Sequence, residues 1–489
     1  MKLGELLSPW IPEIKDERIV HGLAVDHRLV NAGYVFLAYQ GKGFNGADFI
    51  AGAIANGAIA IISDKPINDS KLSLPVYLDV DLQCHIGEIA ARFYQAPTEQ
   101  LIITGITGTN GKTTVAYLLM QAYDLLGEKS SYIGTLGMGD MQSMQETGLT
   151  TPGPIQIQQH CAQLLKKGVE HVAVEVSSHA LDQGRVTGVA FEQAIFTNMT
   201  HDHLDYHGTF EKYVEAKSLL FQCPTLKSII VNADDAHYKK MLTHANPYAT
   251  LYRYGVKSSA DIHVQSMRWT LTGMFLEISS PWGNISLQSS LLGDFNVYNI
   301  LAVFTALMAQ GFELNAVADV IGRLQAAPGR MQVVATTPLV IVDYAHTPDA
   351  LQKALQTLRK FKKQTQAGKL WVVFGCGGDR DIFKRPMMGK IAMTEADRVV
   401  VTSDNPRTEE PESIIQQILA EIPENAEPMM AIVDRKLAII TCLEKAHNND
   451  IILIAGKGHE NYQLIGTEKQ FFSDQSVVNE YFSEAPIQK

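Results

Sequence analysis

The chain has 489 residues, 46% of them hydrophobic and 19% charged, with a formal net charge of −11. At ~100–200 residues per domain this length suggests about three domains, and the acidic balance excludes a general binder of nucleic acid or acidic membrane, which needs basic patches. Five scattered cysteines, Cys84, Cys161, Cys223, Cys376 and Cys442, show no paired metal spacing and fit a reducing compartment.

Residues 1 to about 96 alternate short apolar runs with glycine turns and close at Ala96-Pro97, a candidate linker. The opening MKLGELLSPWIPEI has neither the basic flank nor the hydrophobic stretch of a signal peptide, and no uncharged apolar run reaches the ~20 residues that span a bilayer, so a cytoplasmic location is expected.

The next stretch, LIITGITGTNGKTT (101–114), predicts a strand, a glycine loop and a helix starting near Lys112. That arrangement gathers backbone N–H groups and a helix N-terminus around one point, a ready anion site. Gly105 lies one residue too far from Gly111 for the common phosphate loop, leaving the shorter Gly108-Thr109-Asn110-Gly111-Lys112-Thr113, continued by Thr114. Lys112 is expected on β- and γ-phosphates and the Thr113 hydroxyl on magnesium.

HVAVEVSSHAL (171–181) predicts a buried strand delivering Glu175 to its carboxyl end, where an acid can join Thr113 on the metal. AIFTN (194–198) predicts another strand, running into MTHDHLDYHG with His201, His203 and His207. Without a cysteine partner and among Asp202 and Asp205, these read as solvated loop histidines or one magnesium ligand rather than zinc. The helix expected over 209–221 has an apolar stripe of Phe210, Tyr213, Val214, Leu220 and Phe221, and Lys217 falls inside it. Two readings stay open: the ammonium snorkels to water, or burial makes the amine neutral and able to take up carbon dioxide as a carbamate.

Ala327-Pro328-Gly329-Arg330 is a breaker cluster suited to a hinge. Beyond it, LVIVDYAH (339–346), LWVVFGCGGDRD (370–381), RVVVTSDNPR (398–407) and IILIAGKGHE (451–460) are apolar runs that each end in a polar cluster. Such runs predict a parallel sheet covered on both faces, with ligands at the carboxyl ends of the strands.

The ordered motifs GTNGKTT, EVSSHAL, TNMTHDHLDYHG, EAKSLLF, GDFNVYN, APGRM, DYAHTPDAL and DNPR resemble one family, the bacterial Mur ligases of peptidoglycan synthesis, over nearly the whole chain. The resemblance implies an α/β fold of three domains. These are a smaller N-terminal UDP-sugar domain (1–96), a central parallel-sheet, P-loop ATPase-like domain (97–330) and a C-terminal Rossmann-like domain for the amino acid (331–489). It implies a monomeric, ATP-dependent amide ligase that joins meso-2,6-diaminopimelate to the D-glutamate γ-carboxylate of UDP-N-acetylmuramoyl-L-alanyl-D-glutamate, with no nucleic acid or membrane partner. Two magnesium ions and a carbamate on Lys217 are the implied cofactors.

By the same resemblance, Lys112, Lys217 and His203 are catalytic, and Thr113, Glu175, His203 and Lys217 are the metal set. The nucleotide positions are 108–114 with Asn296, Asn299, Arg330, Asp343 and His346. Those gripping the UDP-sugar dipeptide are Arg28, His27, Asn45, Thr150, Thr151, Ser177, Gln183 and Arg185. The diaminopimelate set is Arg380, Asp404, Asn405, Pro406, Arg407, Gly456 and Glu460. One departure is visible: Asp26-His27-Arg28 stands where the family usually has Asp-Ser-Arg, which removes a hydroxyl from the expected uridine contact. An L-lysine-adding member, a folylpolyglutamate synthase-like ligase and an ATP-sensing regulator are the alternatives. A dehydrogenase is disfavoured because GCGGDR lacks the full dinucleotide fingerprint.

Overall fold

Runs such as RVVV and IILIA carry apolar side chains at nearly every position, which suits strands buried on both faces of a parallel sheet. The computed structural model describes residues 1–41, 43–67, 72–257, 259–270, 273–422 and 429–484. Two compact units are present, Met1–Ala260 with Thr305–Gln310, and Asp261–Phe304 with Gly311–Lys489.

The first unit opens with a parallel sheet of β1 (Gly22–Ala24), β2 (Tyr34–Ala38), β3 (Ala58–Ser63) and β4 (Val76–Leu78), in that order. Leu23, Val35, Leu37, Ala60 and Ile62 pack on one face with Leu82, Ile86 and Ile89 of α1 (Leu82–Phe93). Ala24, Phe36, Ala38 and Ile61 pack on the other. Adjacent residues part to opposite faces, as the period of two requires.

A second parallel array follows, built from β5 (Ile102–Thr107), α2 (Lys112–Leu126), β6 (Ser130–Gly134), α3 (Pro154–Lys166), β7 (His171–Glu175), β8 (Gln193–Phe196), α4 (Phe210–Ser218), β9 (Ser228–Asn232) and β10 (Thr250–Gly255). The strand order is β6-β7-β5-β8-β9-β10. Glu175 pairs in register with Ile106 and Phe196 with Thr107, so the carboxyl ends of β7 and β8 flank the loop that leaves β5. The helix expected over 209–221 is regular only to Ser218, and Leu219–Gln222 tightens into a 3-10 turn. Pro224 accounts for the stop, because Cys223 before it is held at ψ 126, outside the helical region.

The second unit begins with an antiparallel meander of β11 (Ile262–Thr270), β12 (Gly273–Ser280) and β13 (Gly283–Ser289), leading into α5 (Asp294–Ala309). Its main sheet uses β14 (Gln332–Thr336), β15 (Leu339–Asp343), α6 (Pro348–Thr365), β16 (Leu370–Phe374), α7 (Lys384–Glu395), β17 (Arg398–Val401), β18 (Met429–Ala431), α8 (Arg435–Lys445) and β19 (Ile451–Ala455). The order is β14-β15-β19-β16-β17-β18, parallel except for β14. The hairpin of β20 (Tyr462–Ile465) and β21 (Glu468–Phe471) and the helix α9 (Asp474–Glu484) complete it. Ile341, Val372, Phe374, Val399, Val401 and Leu453 face one core, and Val340, Val342, Val373, Val400, Ile452 and Ile454 face the other. All four apolar runs expected as strands are strands, and their polar tails emerge together at the carboxyl edge.

One buried ion pair braces that edge. Arg435 and Asp474 are both inaccessible and join through Nε to Oδ1 and Nη2 to Oδ2, each at 2.8 Å. The guanidinium also donates to the carbonyl oxygens of Ser403 (3.2 Å) and Ala455 (2.9 Å), just past β17 and at the end of β19. Asp474→Ala strands a buried guanidinium and is expected to cost about 3–5 kcal/mol in denaturant unfolding. A loss below about 1 kcal/mol would show that the pair does not hold the edge.

Candidate active site

A sheet covered on both faces can present polar chemistry only at its strand ends, and each unit places its candidate residues there. In the first unit the loop after β5 turns at Gly108 (φ +146) and Gly111 (φ +86) before α2 begins at Lys112. A Cβ on Gly108 would lie 2.0 Å from the Thr197 hydroxyl, so only glycine fits between β5 and the end of β8. Asn198 clamps the loop: its carbonyl accepts from Thr109 N (2.8 Å), and its side chain accepts from Asn110 N (3.0 Å) and donates to Asn110 O (3.0 Å). The Lys112 ammonium folds over the loop onto the carbonyls of Gly108 (3.0 Å) and Thr109 (2.9 Å).

Glu175 ends β7 fully buried. The Thr113 hydroxyl donates to one of its oxygens at 2.9 Å, and the Tyr132 hydroxyl and Thr135 N (2.9 Å) donate to the other. The carboxylate is thereby held in one orientation beside the loop. Tyr132 and Thr135 were absent from the sequence reading, since neither belongs to a recognisable motif and only the register of β6 beside β7 brings them in.

Lys217 is 1% exposed, which removes the snorkelling reading. Its Nζ donates to Gly108 O at 2.8 Å, sharing that acceptor with Lys112, and lies 4.8 Å from the centre of the Tyr213 ring. Burial, and then the Lys112 charge, push its pKa well below that of a free lysine, with Asp202 opposing. Both effects favour the neutral amine over the ammonium. Among the neighbouring histidines, His203 (φ +52) is exposed and stands 3.5 Å from Asp202. His207 departs from the expected solvated loop residue: it is buried, with Nε2 3.0 Å from the Ser178 hydroxyl, because the short helix 204–207 turns it under His179 and Tyr213. Among the described residues no three His, Cys, Asp or Glu side chains converge as a metal cage.

Most of the expected sugar-dipeptide residues form one polar cluster. Thr151 Oγ1 bridges Glu175 O (2.8 Å), Ser177 N (3.1 Å) and Ser177 Oγ (3.3 Å), and Thr150 Oγ1 lies 3.2 Å from Thr135 Oγ1. Arg185 donates to Thr151 O (3.0 Å) and through Nε to Gln183 Oε1 (2.9 Å). The remaining three lie beside the N-terminal sheet, His27 and Arg28 in the 3-10 turn His27–Leu29 and Asn45 in a separate two-stranded ladder. Arg28 is forked onto Asp26 (3.0 and 2.6 Å), Asn45 caps Ala47 N (3.3 Å), and His27 stacks on Phe49 with ring centres 5.1 Å apart.

In the second unit Asn296 and Asn299 are buried on α5 and joined to each other at 2.8 Å. Arg330 lies over the Tyr344 ring (4.9 Å). Asp343 ends β15, accepting from Met331 N (2.7 Å) and Ala345 N (2.9 Å); burial raises its pKa and Arg330 opposes this. His346 Nδ1 sits 2.9 Å from Tyr344 O.

The diaminopimelate candidates come from three adjacent strand ends. Asp404 and Asn405 are buried past β17, and Arg407 sits at φ +53 with Nη1 donating to Gly378 O at 2.8 Å, two residues before Arg380. The hairpin holds this conformation: Arg407 N donates to Leu464 O (2.9 Å), and Gly466 N to Arg407 O (2.7 Å). Asn405 Nδ2 donates to Glu460 Oε2 at 2.9 Å, joining the loop after β17 to that after β19. The opposite wall is tied by Arg385, a fully buried side chain missed in the sequence reading. It donates to both oxygens of Glu409 (2.8 Å each) and to Gly377 O (3.0 Å), while Glu409 accepts from Asp379 N (2.6 Å).

Comparison with known proteins identifies the family. Residues 19–94 match the model described as "Mur ligase family, catalytic domain", 106–307 the Mur ligase middle domain and 329–458 the "Mur ligase, glutamate ligase domain". A relative from Chromobacterium violaceum named UDP-N-acetylmuramoyl-L-alanyl-D-glutamate--2,6-diaminopimelate ligase is 44% identical over 482 residues, 97% of each chain. One of the same name from Neisseria meningitidis serogroup A is 44% identical over 98% of each chain. A solved structure of a protein so named superposes with a TM-score of 0.76 at 36% identity, covering 99% of both chains.

The clamp on the loop at 377–379 has a pH signature. Hydrogen bonds from Arg385 lower the Glu409 pKa from 4.5 to about 2. A depressed folded-state pKa contributes stability that is complete above the unfolded value and lost as pH falls from about 4.5 towards about 2. Glu409→Gln is expected to flatten this part of the stability–pH curve, measured by thermal unfolding at stepped pH. An unchanged slope would show that the pair is not linked to folding.

Proposed function

The chain belongs to the Mur ligase family, and on that premise we propose that it joins meso-2,6-diaminopimelate to the D-glutamate γ-carboxylate of UDP-N-acetylmuramoyl-L-alanyl-D-glutamate at the expense of ATP. The observation that carries this reading is the strand-edge pocket of the second unit. There the Arg407 guanidinium is fixed by Gly378 O, and the Glu460 carboxylate is fixed through one oxygen by Asn405. Arg407 offers a planar fork to a carboxylate and Glu460 an acceptor to an ammonium, which together match the second amino-acid centre of diaminopimelate. L-lysine, lacking that carboxylate, leaves the guanidinium unpaired. Arg380, Asp404, Pro406 and Gly456 complete the pocket in this reading.

ATP is needed because a carboxylate oxygen is a poor leaving group. A γ-carboxylate oxygen of the substrate attacks the γ-phosphorus, the bond to the β-bridging oxygen breaks, and ADP leaves behind an acyl phosphate. The diaminopimelate ammonium first loses a proton to water and the amine attacks the acyl carbon; the nitrogen gives a second proton to water as the carbon–oxygen bond to phosphate breaks, releasing phosphate and the amide. Lys112 and the amides of residues 108–113 hold the phosphates; in the second unit Asn296, Asn299, Arg330, Asp343 and His346 are the nucleotide positions that the family resemblance implies. Arg28, His27, Asn45, Thr150, Thr151, Ser177, Gln183 and Arg185 orient the UDP-sugar dipeptide. Holding three reactants in line contributes up to about 7–11 kcal/mol in favourable cases.

A hydroxyl and the carboxylate it is bonded to are hard donors that suit magnesium, so Thr113 and Glu175 would hold it, with His203 added by the family resemblance. When bound with ATP, magnesium neutralises charge on the phosphates. A neutral Lys217 amine would add carbon dioxide, forming an N–C bond and releasing a proton to water, and the resulting carbamate would supply a further oxygen ligand. The acidic chain acts as a cytoplasmic monomer.

Purified protein incubated with ATP, magnesium, the UDP-dipeptide and either meso-diaminopimelate or L-lysine is expected to release phosphate and yield a product of tripeptide mass with the first amino acid alone. Product with lysine and none with diaminopimelate would transfer the chain to the lysine-adding branch. Lys217→Ala is expected to lose activity by several orders of magnitude and to regain part of it when short carboxylates are added to the assay. Full activity in the unsupplemented variant would rule out the carbamate.

A further inference from the structure

The pocket contains a charge that the proposed function leaves without a role. Lys457 lies in the turn after β19, between Gly456 (φ +114) and Gly458 (φ +55), and its side chain is completely buried. The turn closes with Glu460 N donating to Lys457 O at 3.0 Å. A Cβ on Gly456 would stand 2.5 Å from Asp404 Oδ2, so glycine is required for the turn to approach the loop after β17. Lys457 Nζ then donates to Glu460 Oε2 and Asn405 Oδ1, each at 3.1 Å, and lies 5.5 Å from the centre of the Tyr462 ring.

Both hydrogen bonds received by the Glu460 carboxylate fall on the same oxygen, from Lys457 and from Asn405 Nδ2 (2.9 Å). Among the described residues Oε1 accepts none. The terminal torsion of a glutamate is soft, and a carboxylate on a turn would otherwise turn freely. Two donors on Oε2 fix that torsion and leave Oε1 aimed away from its anchors. Asn405 is fixed in turn, because its Oδ1 accepts from Lys457 and from Leu464 N (3.0 Å). A buried ammonium is a costly way to stabilise a fold, since well-packed apolar residues serve as well or better. Its return is orientation.

We propose that Lys457 is a positioning residue for the amino-acid substrate, locking Glu460 and Asn405 so that Glu460 Oε1 meets the ammonium at the second, non-reacting centre of diaminopimelate. This deepens the proposed function and rests on it. Lys457→Met is expected to raise KM for meso-diaminopimelate about tenfold or more, the usual worth of a hydrogen bond to a charged group. The KM values for ATP and UDP-dipeptide stay put, and kcat changes less than about threefold by the logic of lost ground-state binding. The discriminating substrate is 2-aminopimelate, which keeps the reacting amine and both carboxylates but lacks the second ammonium. Wild type and Lys457→Met are expected to share one KM for it.

An equal rise in KM for both amino acids would reduce Lys457 to a structural residue, and no rise with diaminopimelate would overturn the proposal outright. If Lys457→Met fails to fold, Lys457→Met/Glu460→Gln is compared with Glu460→Gln. Equal KM values for diaminopimelate support the proposal, and a further rise in the double variant refutes it. Wild-type protein that does not turn over diaminopimelate overturns the proposed function itself, a result read before any variant is assayed.

Discussion

The chemistry of this protein is confined by a hydrogen-bonding constraint. A parallel strand covered on both faces satisfies its backbone through its neighbours and its side chains through apolar packing, which leaves unspent polar groups only where the strand stops. Thr107, Glu175 and Phe196 end three adjacent strands in the first unit, and Asp343, Ala455, Phe374 and Val401 end four in the second. GTNGKTT, EVSSHAL, TNMTHDHLDYHG, EAKSLLF, DYAHTPDAL, GCGGDRD, DNPR and AGKGHE lie within a few residues of one of these positions or on the helix that follows, whereas GDFNVYN and APGRM do not. The strand order matters as much as the strands, since it decides which loop tails become neighbours.

At those edges the protein repeatedly buries a charged or chargeable group and then fixes it. Glu175 takes hydrogen bonds from Thr113, Tyr132 and Thr135; Arg385 forks onto Glu409; Lys457 bridges Glu460 and Asn405; Arg435 reaches Asp474 and two strand-end carbonyls. Desolvation makes each group intolerant of a lost partner, so each behaves as a rigid bolt rather than a mobile surface charge. Lys217 is the contrasting case. Its hydrogen-bond acceptor is a carbonyl already used by Lys112, and a second ammonium there would repel the first. Burial and that repulsion both lower its pKa and so favour the neutral amine, the one form of lysine that is nucleophilic.

Much of this was legible in the sequence because motifs with mechanical reasons are local. GTNGKTT carries its own strand, turn and helix start, and DNPR, GCGGDRD and AGKGHE each sit at the end of an apolar run. Lys217 inside an apolar stripe already posed the choice that burial decides. Tyr132, Thr135, Arg385 and Glu409 were not legible, because their importance comes from register and long-range packing: Thr135 meets Glu175 across 40 residues, and Arg385 meets Glu409 across 24. Lys457 stands inside AGKGHE, but nothing local says that a lysine between two glycines turns inward. The polar neighbours of His207 suggest a solvated loop residue or a magnesium ligand, whereas a four-residue helix folds it under Tyr213.

In the proposed function, specificity in the second unit comes from a fixed guanidinium and a fixed carboxylate. Arg407 is bound through its backbone to the hairpin and through Nη1 to Gly378, so it cannot follow a substrate that lacks a carboxylate. Glu460 is held through one oxygen by Asn405 and Lys457. In the proposed function a ligand carrying both an ammonium and a carboxylate at one carbon meets both anchored groups. A ligand offering only one leaves the other desolvated and unpaired, so discrimination grows from the cost of the empty partner more than from the strength of the filled one.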